Sequence, residues 1–141
     1  MILGEHRLAI DRLGWLALPE QIRSELKGDL IVTRGFDRNL ILYPDLGWRA
    51  LAGKLMAKPI SNFDVRTFRR RLFGSAMQLT PDKNGRIQLP SSLREFAGIN
   101  GEMVLTGMYD HVELWSVDKW SQILLSVEAD SAGEHWDGLG L

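Results

Sequence analysis

The chain has 141 residues, of which 45% are hydrophobic and 25% are charged, a composition typical of one soluble globular domain. It contains no cysteine, which excludes thiol catalysis, thiolate metal sites and disulfide bonds. Its formal net charge of -1 argues against a protein that binds nucleic acid through overall positive charge, but it is compatible with basic residues concentrated on one surface.

The first segment of the chain is charged and extended. Glu5, Arg7 and Arg12 leave no apolar core for a signal peptide, and no later apolar run approaches the roughly 20 residues of a membrane helix. We therefore expect a cytoplasmic protein. The segment ends in the sequence DRLG (11–14), whose aspartate and glycine are typical of a tight turn.

A short strand, a brief helix and a hairpin follow this turn. Pro19 is expected to open a helix over EQIRSEL, because the missing N–H of proline has no partner in the first turn of a helix. Gly28 is expected to end it. Two β-rich runs, LIVTRGFD (30–37) and LILY (40–43), then predict a hairpin.

Residues 49–77 are rich in alanine, leucine and arginine, and Pro59 divides them. This predicts two helices or one broken helix. Helical spacing places Arg66, Arg69 and Arg70 along one face. Two interpretations remain open for these arginines: they bind phosphate, or they form ion pairs with acidic residues of this chain or of an adjacent subunit.

The second part of the chain repeats the first. DKNGRIQLPSSLR (82–94) matches DRLGWLALPEQIR (11–23) with identical Asp, Gly, Leu, Pro and Arg at one constant offset. After a short length change, MVLTGMYD (103–110) and VELW (112–115) parallel the first hairpin, and Trp120 parallels Trp48. The chain is therefore predicted to be a tandem duplication.

The duplication predicts the fold class. One copy of about 45 residues is too small to bury a full core alone, so the two copies must pack on each other. We predict a mainly β, α+β fold with short helices, in which the copies form one β-barrel-like unit with pseudo-two-fold symmetry. The expected parts are a first half at 5–49, a helical connector at 50–77, a second half at 78–121, and a C-terminal helix end and frayed tail at 122–141.

The chain resembles the MraZ family, which is built from two SpoVT-AbrB-type (swapped-hairpin) halves. The resemblance is carried by DKNGRIQLPSSLREFAGI (82–99), RRRLFGSA (69–76), VELWSVDKW (112–120) and the opening LGEHRLAID (3–11), and it spans nearly residues 1–121. It implies a bacterial transcriptional regulator, generally a repressor, of the division and cell-wall gene cluster. It also implies a nucleoid-associated, ring-shaped homo-oligomer that binds direct repeats in double-stranded promoter DNA, with no cofactor, membrane or small-molecule substrate.

The resemblance also implies a DNA-binding site. In this family the Asp-x-x-x-Arg turns face the DNA, which points here to Asp82, Lys83, Gly85 and Arg86. A guanidinium can pair bidentately with guanine, whereas an ammonium suits phosphate as a point charge. We expect Asp82 to accept backbone N–H bonds within its turn and to orient Arg86.

The first copy differs at the base-reading position. Trp15 stands where the second copy has Arg86, while Asp11 and Gly14 are retained, and Arg12 keeps one positive charge where the second copy has Lys83. Trp15 could stack on DNA, pack on a neighbouring subunit, or cover apolar surface. We favour packing, which is the commoner role of tryptophan.

An enzyme is the first alternative. The three histidines, His6, His111 and His135, occur in no zinc-protease spacing, and the chain has no phosphate-binding loop or nucleophile elbow. GEHW (133–136) pairs Glu and His only in the expected tail, which is poor preorganisation for catalysis. The segment from Asp82 lacks the glycine and glutamate of a calcium loop. We predict neither catalytic nor metal-binding residues.

The second alternative is an antitoxin-like or divergent protein-interaction module. SpoVT-AbrB-type halves also occur in antitoxins, which usually carry one DNA-binding copy and a disordered toxin-binding tail. Here the second copy stands where such a tail would begin. An antitoxin needs a co-purifying toxin, whereas a ring-forming regulator should purify alone as a large oligomer.

Overall fold

The computed structural model describes residues 1–129 and 136–140, which form a mixed α+β structure. The first copy contains β1 (Glu5–Ala9), β2 (Trp15–Ala17), α1 (Glu20–Arg23), β3 (Leu30–Arg34) and β4 (Leu40–Pro44). The connector contains α2 (Asp45–Met56) and α3 (Phe63–Gly74). The second copy contains β5 (Met77–Leu79), β6 (Arg86–Gln88), α4 (Ser91–Ala97), β7 (Glu102–Gly107), β8 (Val112–Ser116) and α5 (Val117–Ala129), and a 3₁₀-helix follows at Asp137–Leu139. No helix in these residues is long and apolar enough to cross a membrane.

The two copies share their sheets. The larger sheet has six antiparallel strands in the order β1-β7-β8-β4-β3-β5, so the first strand of each copy pairs with the third strand of the other copy. The smaller sheet pairs β2 with β6, again one strand from each copy. Neither copy can therefore form its sheets alone.

The predicted closed barrel is not found. Among the described residues, β1 and β5 lie at opposite edges of the six-stranded sheet, and closure would require them to pair with each other. β5 has three residues, all paired with β3, and β2 packs beside β1. The described strands therefore form two separate sheets and not one closed barrel.

The main core combines equivalent residues of both copies. Leu18 and Leu89 are 1% and 0% exposed, and Ile22 and Leu93 are each 2% exposed. All four belong to one apolar cluster. The pseudo-symmetry predicted from the sequence therefore extends to the packing.

The two connector helices pack on the larger sheet through a second apolar cluster. Leu72 of α3 lies against Ile41 and Tyr43 of β4, and the partly buried side chains Trp48, Leu51, Leu55, Phe68 and Phe73 surround it. The buried Thr33 hydroxyl donates to the Leu72 carbonyl at 2.6 Å. Of the two predicted alternatives, two helices or one broken helix, the structure has two helices, and Pro59 lies between them.

The helix ends differ in detail from the predicted ones. α1 is one turn long and ends before Gly28, whereas α4 ends at Gly98, which has a φ of 67°. α5 extends to Ala129, so residues 122–129 of the predicted helix end and tail are helical. The GEH segment (133–135), including His135, lies outside the described residues.

Candidate nucleic-acid interface

The two Asp-x-x-Gly turns have the same backbone hydrogen bonds. The Gly14 amide donates to the Asp11 carbonyl at 3.0 Å, and the Gly85 amide donates to the Asp82 carbonyl at 3.0 Å. Each aspartate side chain also accepts from the amides two and four residues later, at 2.9 to 3.0 Å. Both glycines have positive φ, 91° and 72°. The first turn therefore keeps its shape although it has lost the arginine.

An arginine of the other copy lies against each turn glycine. Arg23 donates from Nε to the Leu18 carbonyl at 3.0 Å and leaves no room for a Cβ at Gly85. Arg94 donates from Nε to the Leu89 carbonyl at 3.0 Å and lies in the same way against Gly14. These two arginines were not predicted as site residues. The sequence could have indicated them, because both repeats have an arginine at this equivalent position.

Arg86 projects from its turn with a partly fixed side chain. Its Nε donates to Asp82 Oδ2 at 3.0 Å, and 51% of the side chain is exposed. Within the described residues neither Nη atom donates a hydrogen bond, so the outer edge of the guanidinium is available for a ligand. The backbone N–H of Arg86, helped by its side chain and by the amide of Asn84, lowers the pKa of Asp82. The turn thus keeps Asp82 ionised and Arg86 oriented.

Trp15 lies against Arg86 instead of against the core. It is half-buried on β2, and the centre of its ring is 5.3 Å from the Arg86 guanidinium carbon, within cation–π range. Gln88, its partner in the β2-β6 register, donates from Nε2 to the Leu13 carbonyl at 2.9 Å. The residue that replaces the first arginine therefore forms a platform for the second one.

Further basic residues flank the small sheet. Lys83 and Arg12 are exposed at the second position of each turn. Lys83 lines a pocket together with Arg23 and Lys27, and Arg12 lines another together with Arg94. None of these five side chains has an ion-pair partner in the part of the chain that the structure describes. The small sheet thus presents positive charge on both sides of Arg86.

The predicted arginines of α3 are spread over different environments. Arg66 donates to the carbonyls of Ile60 and Ser61 at 3.1 and 3.0 Å, which ties the loop between α2 and α3 to the helix. Arg69 is half-buried and Arg70 is exposed. No carboxylate lies within ion-pair distance of any of the three in residues 1–129 and 136–140.

The histidines are placed apart. His6 lies on β1 with a buried Nε2 that has no partner among the described residues. His111 contacts Asp110 through Nδ1 at 2.6 Å and stacks on Tyr43 with ring centres 4.4 Å apart. The described residues contain no cluster of acidic or histidine side chains that could hold a metal ion.

Two halves that exchange strands and each present an aspartate-glycine turn define a duplicated α+β protein with paired surface loops. The family model described as "MraZ protein, putative antitoxin-like" matches residues 1–71 and again 72–136. The chain belongs to the MraZ family, which confirms the resemblance inferred from the sequence.

Relatives with the name "Transcriptional regulator MraZ" are similar over nearly the whole chain. The protein of Herpetosiphon aurantiacus is 43% identical over all of both chains. That of Thermomicrobium roseum is 40% identical over 95% of this chain and 96% of its own. That of Halothermothrix orenii is 40% identical over 91% and 90%.

Proposed function

We propose that this protein is a transcription regulator that binds double-stranded promoter DNA in a sequence-specific manner. The names of its relatives support the regulatory role. The observation that carries the DNA-binding part is the Arg86 side chain, which is anchored on one edge by Asp82 and supported on one face by Trp15. Its free edge can donate two parallel hydrogen bonds.

Guanine is the base that this geometry suits best. Its O6 and N7 acceptors in the major groove match the fork of a guanidinium, a pairing that contributes about 1–3 kcal/mol of discrimination. Asp82 holds Nε, so both Nη groups remain for the base. Arg86 is thus the base reader, and Asp82 and Gly85 set its position.

Lys83 and Arg12 supply the contacts to phosphate. Both are exposed at the tips of their turns. An ammonium or a flexible guanidinium at such a tip neutralises backbone charge without reading sequence. These contacts set the register of the small sheet on the duplex, and they make binding sensitive to salt.

A ring-shaped homo-oligomer fits a subunit with one base reader. Because Trp15 has replaced the first arginine, each chain offers one guanidinium for bases, and a single subunit of net charge -1 binds weakly. Several subunits that meet direct repeats together raise the effective concentration at each site. The family resemblance supplies the further proposals: two SpoVT-AbrB-type halves per chain, repression of the division and cell-wall gene cluster, and a place at the nucleoid.

The experiment that tests this proposal is DNA binding to the promoter upstream of the protein's own gene and to scrambled DNA of equal length, at two salt concentrations. We expect selective binding by the wild type, and a ratio of the two affinities near one for Arg86→Ala. Lys54→Ala, which removes one exposed positive charge from α2, is the matched control and should keep the selectivity. Retained selectivity in Arg86→Ala would refute the role of Arg86, and equal binding of both DNAs by the wild type would refute the regulator.

An antitoxin-like interaction module is the second candidate. It is favoured by the wording of the family description and by apolar side chains that the connector leaves uncovered, with Leu46 at 82% and Phe63 at 66% exposure. Co-purification with one stoichiometric partner from the native host would support this candidate. Purification alone as a large oligomer supports the ring-forming regulator.

A further inference from the structure

Arginines of the first copy and of the connector line a pocket of about 370 Å³ between α3 and α4. Arg34 comes from β3, Arg70 and Arg71 from α3, and Ser92 from α4. We call it the α3–α4 pocket. Its remaining lining residues are Gly74, Ser75, Ala76, Met77 and Leu93.

The α3–α4 pocket carries positive charge without compensation. Its nine lining residues include three arginines and no acidic residue. None of the three arginines forms an ion pair in the described residues, where the four ion pairs involve other groups. Three guanidinium groups around one concave site repel each other, and an anion bound between them removes that repulsion.

Two of the three guanidinium groups are already held in place. Arg71 donates from Nη2 to the Gly35 carbonyl at 2.7 Å and stacks on Phe36 at 5.4 Å. Arg34 lies over the Phe96 ring at 4.7 Å. Stacking occupies the face of a guanidinium and leaves its N–H edge free for an anion. Arg70 is exposed at the rim and can close over a bound group.

The α3–α4 pocket adjoins the turn of the first copy. Met77 of β5 lines it, and Leu79, two residues further along the same face of that strand, lines the pocket that contains Arg12. Arg94 also donates from Nη1 to the Arg12 carbonyl at 3.2 Å. A nucleic-acid strand that contacts Arg12 can therefore continue along β5 into the α3–α4 pocket.

We propose that the α3–α4 pocket binds a backbone phosphate of the DNA duplex, through Arg34, Arg70 and Arg71. The inference rests on the proposed DNA-binding function and extends its footprint beyond the two turns. It adds Arg34 to the phosphate contact that Arg12 already gives the first copy, which has Trp15 at the base-reading position. Continuity with Arg12 favours DNA over an acidic segment of a second subunit, which would not need that alignment.

The test uses the double variant Arg34→Gln/Arg70→Gln in the full chain, and it leaves Arg71 in place because Arg71 holds the Gly35 carbonyl. Affinity for promoter and scrambled DNA is measured across a range of salt concentrations. We expect weaker binding to both DNAs by the same factor, and a slope of log affinity against log salt that is smaller by about one for each phosphate that the variant no longer neutralises. The control Lys54→Gln/Lys58→Gln removes the same charge from exposed positions of the connector and should leave the slope unchanged.

Five further results decide the assignment. Arg34→Lys/Arg70→Lys keeps the charge and should restore most of the slope. An unchanged salt slope in the glutamine variant would overturn the proposal. It would also be overturned if light scattering showed that the variant has a different oligomeric state while each oligomer binds DNA as the wild type does. Calorimetric titration with inorganic phosphate distinguishes a site for a free anion from a site for DNA. The proposal would also be overturned if the wild type bound phosphate with a heat that the glutamine variant lacks, while the salt slope of DNA binding was the same in both proteins. Failure of the wild type to select the promoter refutes the regulator alone, because the slope on scrambled DNA still tests the pocket.

Discussion

The guanidinium of Arg86 lies 5.3 Å from the centre of the Trp15 ring, although the two residues occupy equivalent positions in the two copies. The antiparallel pairing of β2 with β6 allows this contact, because Trp15 is opposite Gln88 and Arg86 is two residues away on the same face, so that the two side chains are diagonal neighbours. Trp15 of the first copy thus supports the arginine at the equivalent position of the second copy.

Removal of the tryptophan platform should weaken DNA binding without unfolding the protein. A cation–π contact at an exposed site contributes about 0.5–1 kcal/mol, so we expect Trp15→Ala to lower promoter affinity about two- to fivefold. Trp15→Phe keeps an aromatic face and should have a smaller effect. Fluorescence anisotropy with labelled promoter DNA measures both changes. Wild-type affinity in Trp15→Ala would contradict a supporting role for the ring.

Substitution of the turn glycine should destabilise the fold. Gly85 has a φ of 72° and lies against the Arg23 side chain, so Gly85→Ala combines backbone strain with a clash. We expect a decrease of about 1–3 kcal/mol in the free energy of unfolding, measured by urea denaturation. Gly53→Ala is the matched control: it lies in α2 with open space around it and should stabilise the protein by about 0.5–1 kcal/mol. The same effect from both substitutions would rule out a special role of the turn glycine.

The turn should also contribute to acid sensitivity. The hydrogen bonds from Arg86 and Asn84 lower the pKa of Asp82 in the folded chain below its ordinary value of 3.8. Its contribution to stability is therefore present above that value and is lost as the pH falls through the lower folded pKa. We expect Asp82→Asn to show a shallower decrease of the melting temperature than wild type between about pH 5 and pH 3. Asp37→Asn, which removes an exposed carboxylate elsewhere, is the control, and a wild-type profile for Asp82→Asn would contradict the assignment.

The shared core predicts a single unfolding transition. Leu89 is completely buried among residues of both copies, and Leu89→Ala should cost about 2–5 kcal/mol. Leu46→Ala, at a position that is 82% exposed, should change stability by less than about 0.5 kcal/mol. Far-UV circular dichroism, which reports secondary structure, and tryptophan fluorescence should give the same unfolding midpoint in each variant. Separate midpoints would mean that the two copies unfold independently.

The sequence predicts the local structure better than the pairing of strands. The repeated Asp-x-x-Gly turns and the break at Pro59 are encoded by residues close together in the chain, and both features are found. The choice of partner for β1 and β5 depends on contacts across the whole chain. An alternating pattern of apolar and polar residues indicates which face of a strand is buried, but it does not indicate which strand pairs with it. The exchange of strands between the copies was therefore not predicted.

In the candidate site, too, local contacts were predicted from the sequence and long-range contacts were not. The hydrogen bonds that backbone N–H groups donate to the Asp82 side chain follow from the turn sequence and were expected. The contacts of Arg86 with Trp15 and of Arg23 with Gly85 join residues that are distant in the chain, and only the fold brings them together. The pocket that contains Arg34 was missed for the same reason, because β3, α3 and α4 each contribute to it.

The exchange of first strands also bears on how the two turns became different. Two separate chains with one copy each could form the same sheets as a symmetric dimer, but any substitution would then appear in both turns at once. The connector of α2 and α3 joins the copies covalently, so each can acquire its own substitutions. An aromatic residue at position 15 in contact with a cation at position 86 is an arrangement that two identical subunits cannot form from these equivalent positions.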